Sequence, residues 1–250
     1  MLPKSAPLTP ATLLDLMAHQ RYGVEFQPIV DTRSQDTFAY EALSRFHHPG
    51  GRPLRPDLVY AALHDNPLCL FQVEHRQKQL QLEAAPADYP LFVNLDQDAY
   101  HAYGENGEDN PFIQLLRLHP GRTVVVELIE NTEVNDAVVS MAMIEAFAQL
   151  GVPTAIDDVG APHTMLSLSI IQVVDYLKFD KYLVRNRRNE RNVILARAIM
   201  DYARAAGKRV IVEGVETPAD LDFARQLGAD YVQGFLYRER FIGVECAPGG

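Results

Sequence analysis

The stretch VEFQPIVDTRSQDTFAYEAL, residues 24–43, contains two apolar runs separated by a short polar join. Apolar, β-branched runs of this length are typical of buried strands. The join, Asp31–Asp36, has only six residues, which is too few for a helical crossover, so these two strands should pair antiparallel. The rest of the chain alternates strand-like and helix-like stretches, a pattern that predicts parallel strands.

We predict eight strands that together form one sheet. In chain order they are Val24–Val30, Thr37–Leu43, Leu91–Leu95, Thr123–Ile129, Pro153–Ile156, Tyr176–Phe179, Arg209–Val212 and Tyr231–Leu236. One helix between them should begin with Thr217 as N-cap and Pro218 in the first turn, and end at Gly228. Eight strands alternating with helices in 250 residues predict an α/β fold, a TIM-barrel-like (β/α)8 variant with one antiparallel strand.

The segment before the first strand predicts an added helix. It covers Thr9–Gln20, with Thr9 as N-cap and Pro10 at the first helical position. We therefore divide the chain into an N-terminal helical extension, residues 1–21, and a barrel domain, residues 22–250.

Composition excludes several classes of protein and of partner. The net charge of −10 argues against duplex nucleic acid or an anionic membrane as a partner. The sequence has no window of eighteen apolar residues, so no membrane span is predicted. The start, MLPKSAPLTP, lacks the apolar core of a secretory signal. Cys69 and Cys246 have no metal-type spacing. We interpret them as reduced thiols of a cytoplasmic protein.

Polar residues sit at the ends of the apolar runs, where parallel strands bring them to one face of the sheet. The set consists of Glu41, Asn94, Glu127, Asp157, Asp158, Lys178 and Glu213. Carboxylates crowded together cannot all stay ionised without a counter-charge, and divalent cations that prefer oxygen ligands would supply one. Taken singly, an acid at a strand end is more often a solvated or salt-bridged side chain than a ligand, and Lys178 could be a Schiff-base lysine.

In their order, these residues resemble the EAL-domain family of cyclic di-GMP phosphodiesterases. The resemblance runs from about Tyr22 to Tyr237 and rests on eight blocks. The blocks are FQPIVD (26–31), YEALSR (40–45), FVNL (92–95), ELIE (127–130), IDD (156–158), LKFD (177–180), VEGVET (212–217) and VQGF (232–235). It implies a stand-alone EAL domain, a barrel with one antiparallel strand, and hydrolysis of cyclic di-GMP to linear pGpG by a two-metal mechanism.

The resemblance also implies a role for each matching residue. The first metal would be held by Glu41, Asn94, Glu127 and Asp157. The second would be held by Asp157, Asp158 and Glu213, with Asp157 shared. Lys178 matches a lysine that holds the attacking water, so Glu213, Lys178 and Asp158 are the implied catalytic set. The substrate-binding set is Gln27, Arg45, Asp180, Glu216 and Gln233.

The resemblance implies two cofactor ions and one partner subunit. The ions are Mg²⁺ or Mn²⁺, whereas Ca²⁺ is expected to inhibit because its looser coordination misplaces the water. The chain is expected to form a homodimer and to bind cyclic di-GMP.

Three departures from the family pattern leave a second function open. Val159–Met165 reads VGAPHTM where the family usually has FGTGYSS, so Pro162 stiffens the loop. His163 in that loop could be an extra ligand but more simply is a loop histidine. Residues 237–241 read YRERF, which departs from the family pattern, so base contacts from that segment are not carried over. Asp96 stands where a small hydroxyl residue is common. The alternative is a catalytically weak or inactive cyclic di-GMP-binding or protein-interaction module.

Overall fold

The computed structural model describes residues 8–104, 107–128, 134–162, 164 and 166–245, with side chains of the helix at 134–149 described from residue 139 onwards. The strands in these ranges are β1 Tyr22–Asp31, β2 Thr37–His47, β3 Pro53–Leu54, β4 Leu91–Asn94, β5 Val124–Leu128, β6 Thr154–Val159, β7 Tyr176–Phe179, β8 Arg209–Val212, β9 Tyr231–Val232 and β10 Ile242–Glu245.

Helices alternate with most of these strands. They are α1 Pro10–Ala18, α2 Pro56–Leu63, α3 Pro67–Ala84, α4 Gln97–His101, α5 Pro111–Arg117, α6 Val134–Gln149, α7 Leu168–Val173, α8 Lys181–Arg185, α9 Glu190–Ala205 and α10 Pro218–Leu227. Short 3-10 helices cover Gly107–Asp109 and Phe235–Arg240.

The sheet closes into a barrel with one reversed strand. β1 pairs antiparallel with both of its barrel neighbours, β2 and β9, whereas the neighbours from β2 through β4 to β9 pair in parallel. The short join at Asp31–Asp36 explains this reversal, because it can only turn the chain back beside itself. β3 and β10 extend the ends of β2 and β1 as short antiparallel partners. The predicted barrel with one antiparallel strand is therefore confirmed.

The capping signals in the sequence locate two helices. Thr9 caps α1 by accepting a hydrogen bond from the Thr12 amide at 3.2 Å. Thr217 caps α10, and Gly228 ends that helix in the left-handed conformation. The helix predicted at Thr9–Gln20 is thus present, while the division into residues 1–21 and 22–250 stays a prediction.

The barrel interior has an apolar layer built from alternate strand positions. Its buried members are Ile29, Ala39, Phe92, Val125, Ala155 and Ile211, with Phe38, Tyr176 and Tyr231 packed against them. Successive strand side chains point to opposite faces, so residues two positions apart face the same side. The next inward position on each parallel strand therefore lies two residues further along the chain, and on the reversed strand β1 it lies two residues earlier.

Two boundary predictions were wrong. The last barrel strand was predicted as Tyr231–Leu236, but β9 ends at Val232 and a 3-10 helix begins at Phe235. Gly234, with φ of 156°, turns the chain between them. Glu41 was predicted at a strand end but lies inside β2, which continues to His47 because β1 pairs with it as far as Phe46. The predicted strand end at Ile129 lies outside the described residues.

The turn after β8 requires a glycine, which gives a test of the fold. Gly214 has φ of 69°, and a Cβ there would lie 2.3 Å from the Lys181 Cβ. Gly151 has the same φ, but a Cβ there would meet nothing within 4 Å. Gly151→Ala should cost about 1–2 kcal/mol from backbone strain. Gly214→Ala should cost roughly 1–3 kcal/mol more, because Lys181 must also move.

Urea denaturation of the metal-free variants measures this difference. Equal losses of unfolding free energy in the two variants would show that the contact between Gly214 and the start of α8 is not a packing constraint.

Candidate metal centre

One polar residue from each barrel strand, or from the residue after it, forms a ring directly above the apolar layer. In chain order the ring is Gln27, Glu41, Asn94, Glu127, Asp157, Lys178, Glu213 and Gln233. Each follows an apolar-layer position by two residues, except Gln27, which precedes Ile29 on the reversed strand. Because of strand alternation and register, seven of these side chains point toward the eighth, Lys178, or toward its immediate neighbours.

Lys178 occupies the centre of the ring. Its side chain is 0% exposed, and its Nζ lies 2.9 Å from oxygens of Glu127 and of Glu213. The same Nζ is 3.3 Å from Asp157 and 3.4 Å from Glu41. One ammonium therefore faces four carboxylates, which leaves an excess of negative charge in a buried space.

Two amide side chains hold Glu41. Asn94 Nδ2 donates to Glu41 Oε1 at 2.9 Å, and Gln233 Nε2 donates to Oε2 at 2.6 Å. Because Asn94 donates through its nitrogen, its carbonyl oxygen remains for another ligand. Gln27 is the strand-register partner of Glu41, and its Oε1 lies 3.5 Å from Gln233 Nε2.

A β-bulge turns the second aspartate of the Asp157-Asp158 pair toward the cleft. The register of β6 against β7 shifts between Ile156 and Val159, and Asp158 has a left-handed φ of 56°. Regular alternation would point two consecutive side chains to opposite faces, whereas a bulge re-aims one of them. Both aspartates consequently line the same cleft.

Burial and repulsion raise the pKa of most of these acids. Burial raises the pKa of Glu213 to about 8, in spite of the opposing charge of Lys178. Burial, followed by the charge of Asp157, raises the pKa of Asp158 to about 6. Burial and then Glu41 raise the pKa of Glu127 well above its usual range. Burial alone would lower the pKa of Lys178, but the surrounding carboxylates raise it well above the ordinary value.

Glu41 behaves differently from the other acids. Burial alone would raise its pKa, but the charge of Lys178 and the amide donors of Gln233 and Asn94 lower it below the ordinary value. The ionised form of Glu41 is therefore favoured even without a bound cation.

A cleft of about 480 Å³ opens above the ring. Its lining includes six residues that the sequence analysis did not assign to the site, namely Leu43, Lys181, Arg185, Gly214, Gly234 and Phe235. Lys181 and Arg185 lie four positions apart on α8, directly after the LKFD block, and that helical spacing was the available signal. Phe235 stands in the VQGF block and is 58% exposed, so its ring is free to contact a ligand.

Three predicted substrate-binding residues lie at different places around this cleft. Glu216 lines it and faces Arg185 at 3.6 Å. Arg45 pairs with Glu25 at 2.6 Å and is not among the lining residues. Asp180 is buried and caps α8 by accepting from the Tyr182 amide at 2.8 Å. The binding roles of Arg45 and Asp180 stay predictions.

The acids form two groups that fit metal ions. Glu41, Glu127 and Asp157 offer ligand atoms within 4.8 Å of one another, and so do Asp157, Asp158 and Glu213. Oxygen donors suit Mg²⁺, Mn²⁺ or Ca²⁺, and Asp157 is common to both groups. A third group, His64, Asp96 and Asp98, meets the same distance but lines no part of the cleft.

Comparisons with known proteins agree with this geometry. The EAL domain model matches residues 11–240. The bifunctional diguanylate cyclase/cyclic di-GMP phosphodiesterase MucR of Pseudomonas aeruginosa is 27% identical over 90% of this chain and 34% of its own length. The probable cyclic di-GMP phosphodiesterase PdeN of Escherichia coli is 24% identical over 89% of this chain and 44% of its own length. The chain therefore spans less than half the length of these curated relatives.

Solved structures share the fold. A cyclic di-GMP complex of the PaMucR phosphodiesterase superposes with a TM-score of 0.73 at 24% identity, over 90% of this chain and 94% of that one. A manganese and cyclic di-GMP complex of Klebsiella pneumoniae BlrP1 gives 0.70 at 23% identity, over 100% of this chain and 61% of that one. With the family model matching nearly the whole chain and the ring of polar residues in place, this chain belongs to the EAL domain family.

Proposed function

We propose that this chain hydrolyses cyclic di-GMP to linear pGpG with two divalent cations, Mg²⁺ or Mn²⁺. The observation that carries the proposal is the pair of ligand groups that share Asp157 at the floor of an open cleft. The named activities of the relatives MucR and PdeN support the same substrate.

The residues present fit the two cations. Glu41, Asn94, Glu127 and Asp157 would hold one, and Asp157, Asp158 and Glu213 would hold the other. Two bound cations lower the pKa of a water and stabilise charge on phosphoryl oxygens. Asn94 contributes a neutral carbonyl oxygen, so that this ligand adds no further repulsion to a site already rich in carboxylates.

Lys178 keeps its proton and supplies a fixed positive charge. With four carboxylates within 3.4 Å, its ammonium can donate a hydrogen bond to the attacking oxygen. The same protonation makes it a poor amine nucleophile, so Schiff-base chemistry at Lys178 loses its support.

The cleft residues would hold the dinucleotide. Gln27, Glu216 and Gln233 line the cleft, and Arg45 would grip a phosphate bidentately once it exchanges Glu25 for the ligand. Among the described residues, no helix has both the length and the apolar character needed to cross a bilayer. A cytoplasmic homodimer is part of this proposal.

The altered loop after the bulge favours a second candidate, a binding module with little or no turnover. Gly160 adopts φ of 83°, and the Ala161 amide donates to the Asp158 carbonyl at 3.0 Å, so a tight turn follows Asp158 directly. Pro162 restricts the next step of the chain. His163 and Met165 lie outside the described residues, so a ligand role for His163 stays untested.

Turnover should depend on divalent cations. EDTA-treated protein should be inactive toward cyclic di-GMP, Mg²⁺ or Mn²⁺ should restore pGpG formation, and Ca²⁺ should bind with little turnover. Asp157→Asn removes the shared ligand and should lower kcat at least about 100-fold. Chromatographic detection of pGpG measures this. Asp201→Asn, an exposed charge removal on α9, is the control, and full activity without metal would refute the two-metal proposal.

The metal-free protein should lose stability as pH rises from about 4.5 to about 8, and the loss should level off above that. Folding raises the pKa of Asp158 to about 6 and that of Glu213 to about 8. An acid whose pKa is raised on folding stabilises the folded state while protonated, and that contribution disappears as pH passes the folded value. Saturating Mn²⁺ should reverse the trend, since ligand binding favours the ionised acids.

A pair of variants assigns this pH dependence. Glu213→Gln should flatten the decline in unfolding free energy between about pH 5 and 8 in EDTA. Glu216→Gln removes a half-exposed carboxylate three residues away and should leave the slope unchanged. If both variants keep the wild-type slope, Glu213 is not the titrating group.

Replacing residues 159–165 by FGTGYSS decides between the two candidate functions. If the loop limits the placement of Asp158, the replacement should raise kcat more than it changes the affinity for cyclic di-GMP. Steady-state kinetics and calorimetry separate the two effects. A wild type that binds cyclic di-GMP but forms no pGpG, together with an unchanged rate in the replaced loop, would establish the binding module instead.

A further inference from the structure

A polar cluster that runs from the buried α3 side to the surface lies outside the cleft, where α2, α3 and the start of α4 meet. His64 Nε2 is 2.9 Å from Asp96 Oδ2. The Asp96 amide donates to Glu74 Oε1 at 3.3 Å, and Tyr60 OH donates to Glu74 Oε2 at 2.7 Å. Lys78 Nζ completes the cluster at 2.9 Å from Glu74 Oε1. Glu74 and Lys78 are buried, whereas the His64 side chain lies at the rim and is 41% exposed.

The geometry around His64 requires a proton between it and Asp96. The ring Nδ1 lies 2.8 Å from the Tyr60 carbonyl, and Nε2 faces the Asp96 carboxylate. Both partners are acceptors, whereas a neutral imidazole has a single N–H. The Tyr60 carbonyl and the charges of Asp96 and Asp98 raise the pKa of His64, although burial alone would lower it.

This cluster holds the segment that carries a predicted metal ligand. β4 ends at Asn94, and Asp96 is the N-cap of α4, accepting from the amides of Asp98 at 2.8 Å and Ala99 at 3.2 Å. The backbone between strand and helix is therefore fixed on its outer side by Asp96. On its inner side Asn94 donates to Glu41.

We propose that His64 is a positioning residue, which clamps Asp96 and thereby aims the Asn94 carbonyl at the first metal. The proposal rests on the proposed function, in which Asn94 is a metal ligand. It also gives a reason for Asp96: an acid at this position adds a charge beside buried Glu74, and that charge needs the His64 imidazolium as its partner. Asp96 raises no repulsion at the cleft, because its carboxylate is turned toward α2 and the helix it caps.

Mn²⁺ binding to the full chain tests the clamp without depending on turnover. His64→Gln keeps an N–H donor but loses the charge, and it should weaken one of two Mn²⁺ sites by about tenfold while leaving the other unchanged. Adding Asp96→Ser should restore most of that affinity, because it removes the unpaired carboxylate and keeps a helix cap. The matched control is His19→Gln, which breaks a similar contact with Asp15 on α1.

The pH dependence of the Mn²⁺ affinity distinguishes a positioning role of His64 from a purely structural one. The groups facing His64 are Asp96 and Asp98 from α4, the Tyr60 carbonyl from α2 and, through Asp96, Glu74 from α3. The affinity gap between wild type and His64→Gln should shrink as pH rises, because the wild-type imidazolium loses its proton. A constant gap from pH 6 to 9 would overturn the clamp.

Three further results would distinguish failure of the clamp from failure of the proposed function. Two Mn²⁺ ions bound equally well by wild type and by His64→Gln would overturn the clamp and leave the phosphodiesterase proposal intact. A third Mn²⁺ that disappears in His64→Gln would also overturn it, by showing a cation rather than a proton between His64 and Asp96. A wild type that binds no Mn²⁺ would overturn the proposed function itself, and the clamp with it.

Discussion

The buried contact of Lys178 with four carboxylates is the constraint on which the rest of the barrel interior depends. An ammonium that is 0% exposed is stable only when its charge is balanced, and Glu127 and Glu213 at 2.9 Å provide the nearest balance. The same acids repel one another, so the metal-free interior carries more negative charge than it can easily hold. The proposed cations would relieve that crowding of acids. Burial, followed by repulsion from neighbouring acids, raises the pKa of Glu213 to about 8 and that of Asp158 to about 6.

The barrel produces this arrangement by stacking a polar layer on an apolar one. Residues such as Phe92, Val125 and Ile211 close the interior below the ring. With water excluded from beneath, ligands and solvent reach Lys178 and the acids from the cleft side. The bulge at Asp157-Asp158 breaks strand alternation at one point and adds a second aspartate to the cleft. Regular strands alone would have supplied one inward side chain at this level of β6.

Features around the ring distinguish this chain from the common pattern of its family. Pro162 lies in the turn that follows Asp158, and Asp96 caps the helix that follows Asn94. The first change bears on the half of the site that holds Asp158, and the second bears on the half that holds Asn94. His64 compensates for the second, since its ring contacts Asp96 directly. The described part of the chain shows no equivalent partner that would compensate for Pro162.

The order of strands along the chain, the reversed pairing of the first two and six of the eight ring residues could be predicted from the chain. The other two, Gln27 and Gln233, were implied only by the family resemblance, as substrate-binding residues. Apolar runs indicate strands, a six-residue join allows only an antiparallel turn, and polar residues interrupt the runs at recurring places. The last barrel strand was predicted too long, because apolar residues stand on both sides of Gln233 and Gly234 in Tyr231–Leu236, and the turn at Gly234 depends on close packing against the Val215 backbone. The pairings of β3 and β10 were missed because such short edge segments have no periodicity of their own.

What the sequence alone determined is therefore which strand side chains point inward at the level of the ring, since alternation along each strand is a local property. Only the tertiary structure decided how they meet. Register between strands depends on closure of the whole barrel, and it places Glu41 in the middle of β2 yet level with Asn94 at the end of β4. The tertiary structure also decided the surroundings of His64, since nothing in the sequence distinguishes it from the other histidines. Its contact with Asp96 joins residues 32 positions apart, and contacts at that separation are set by the packing of helices on the barrel.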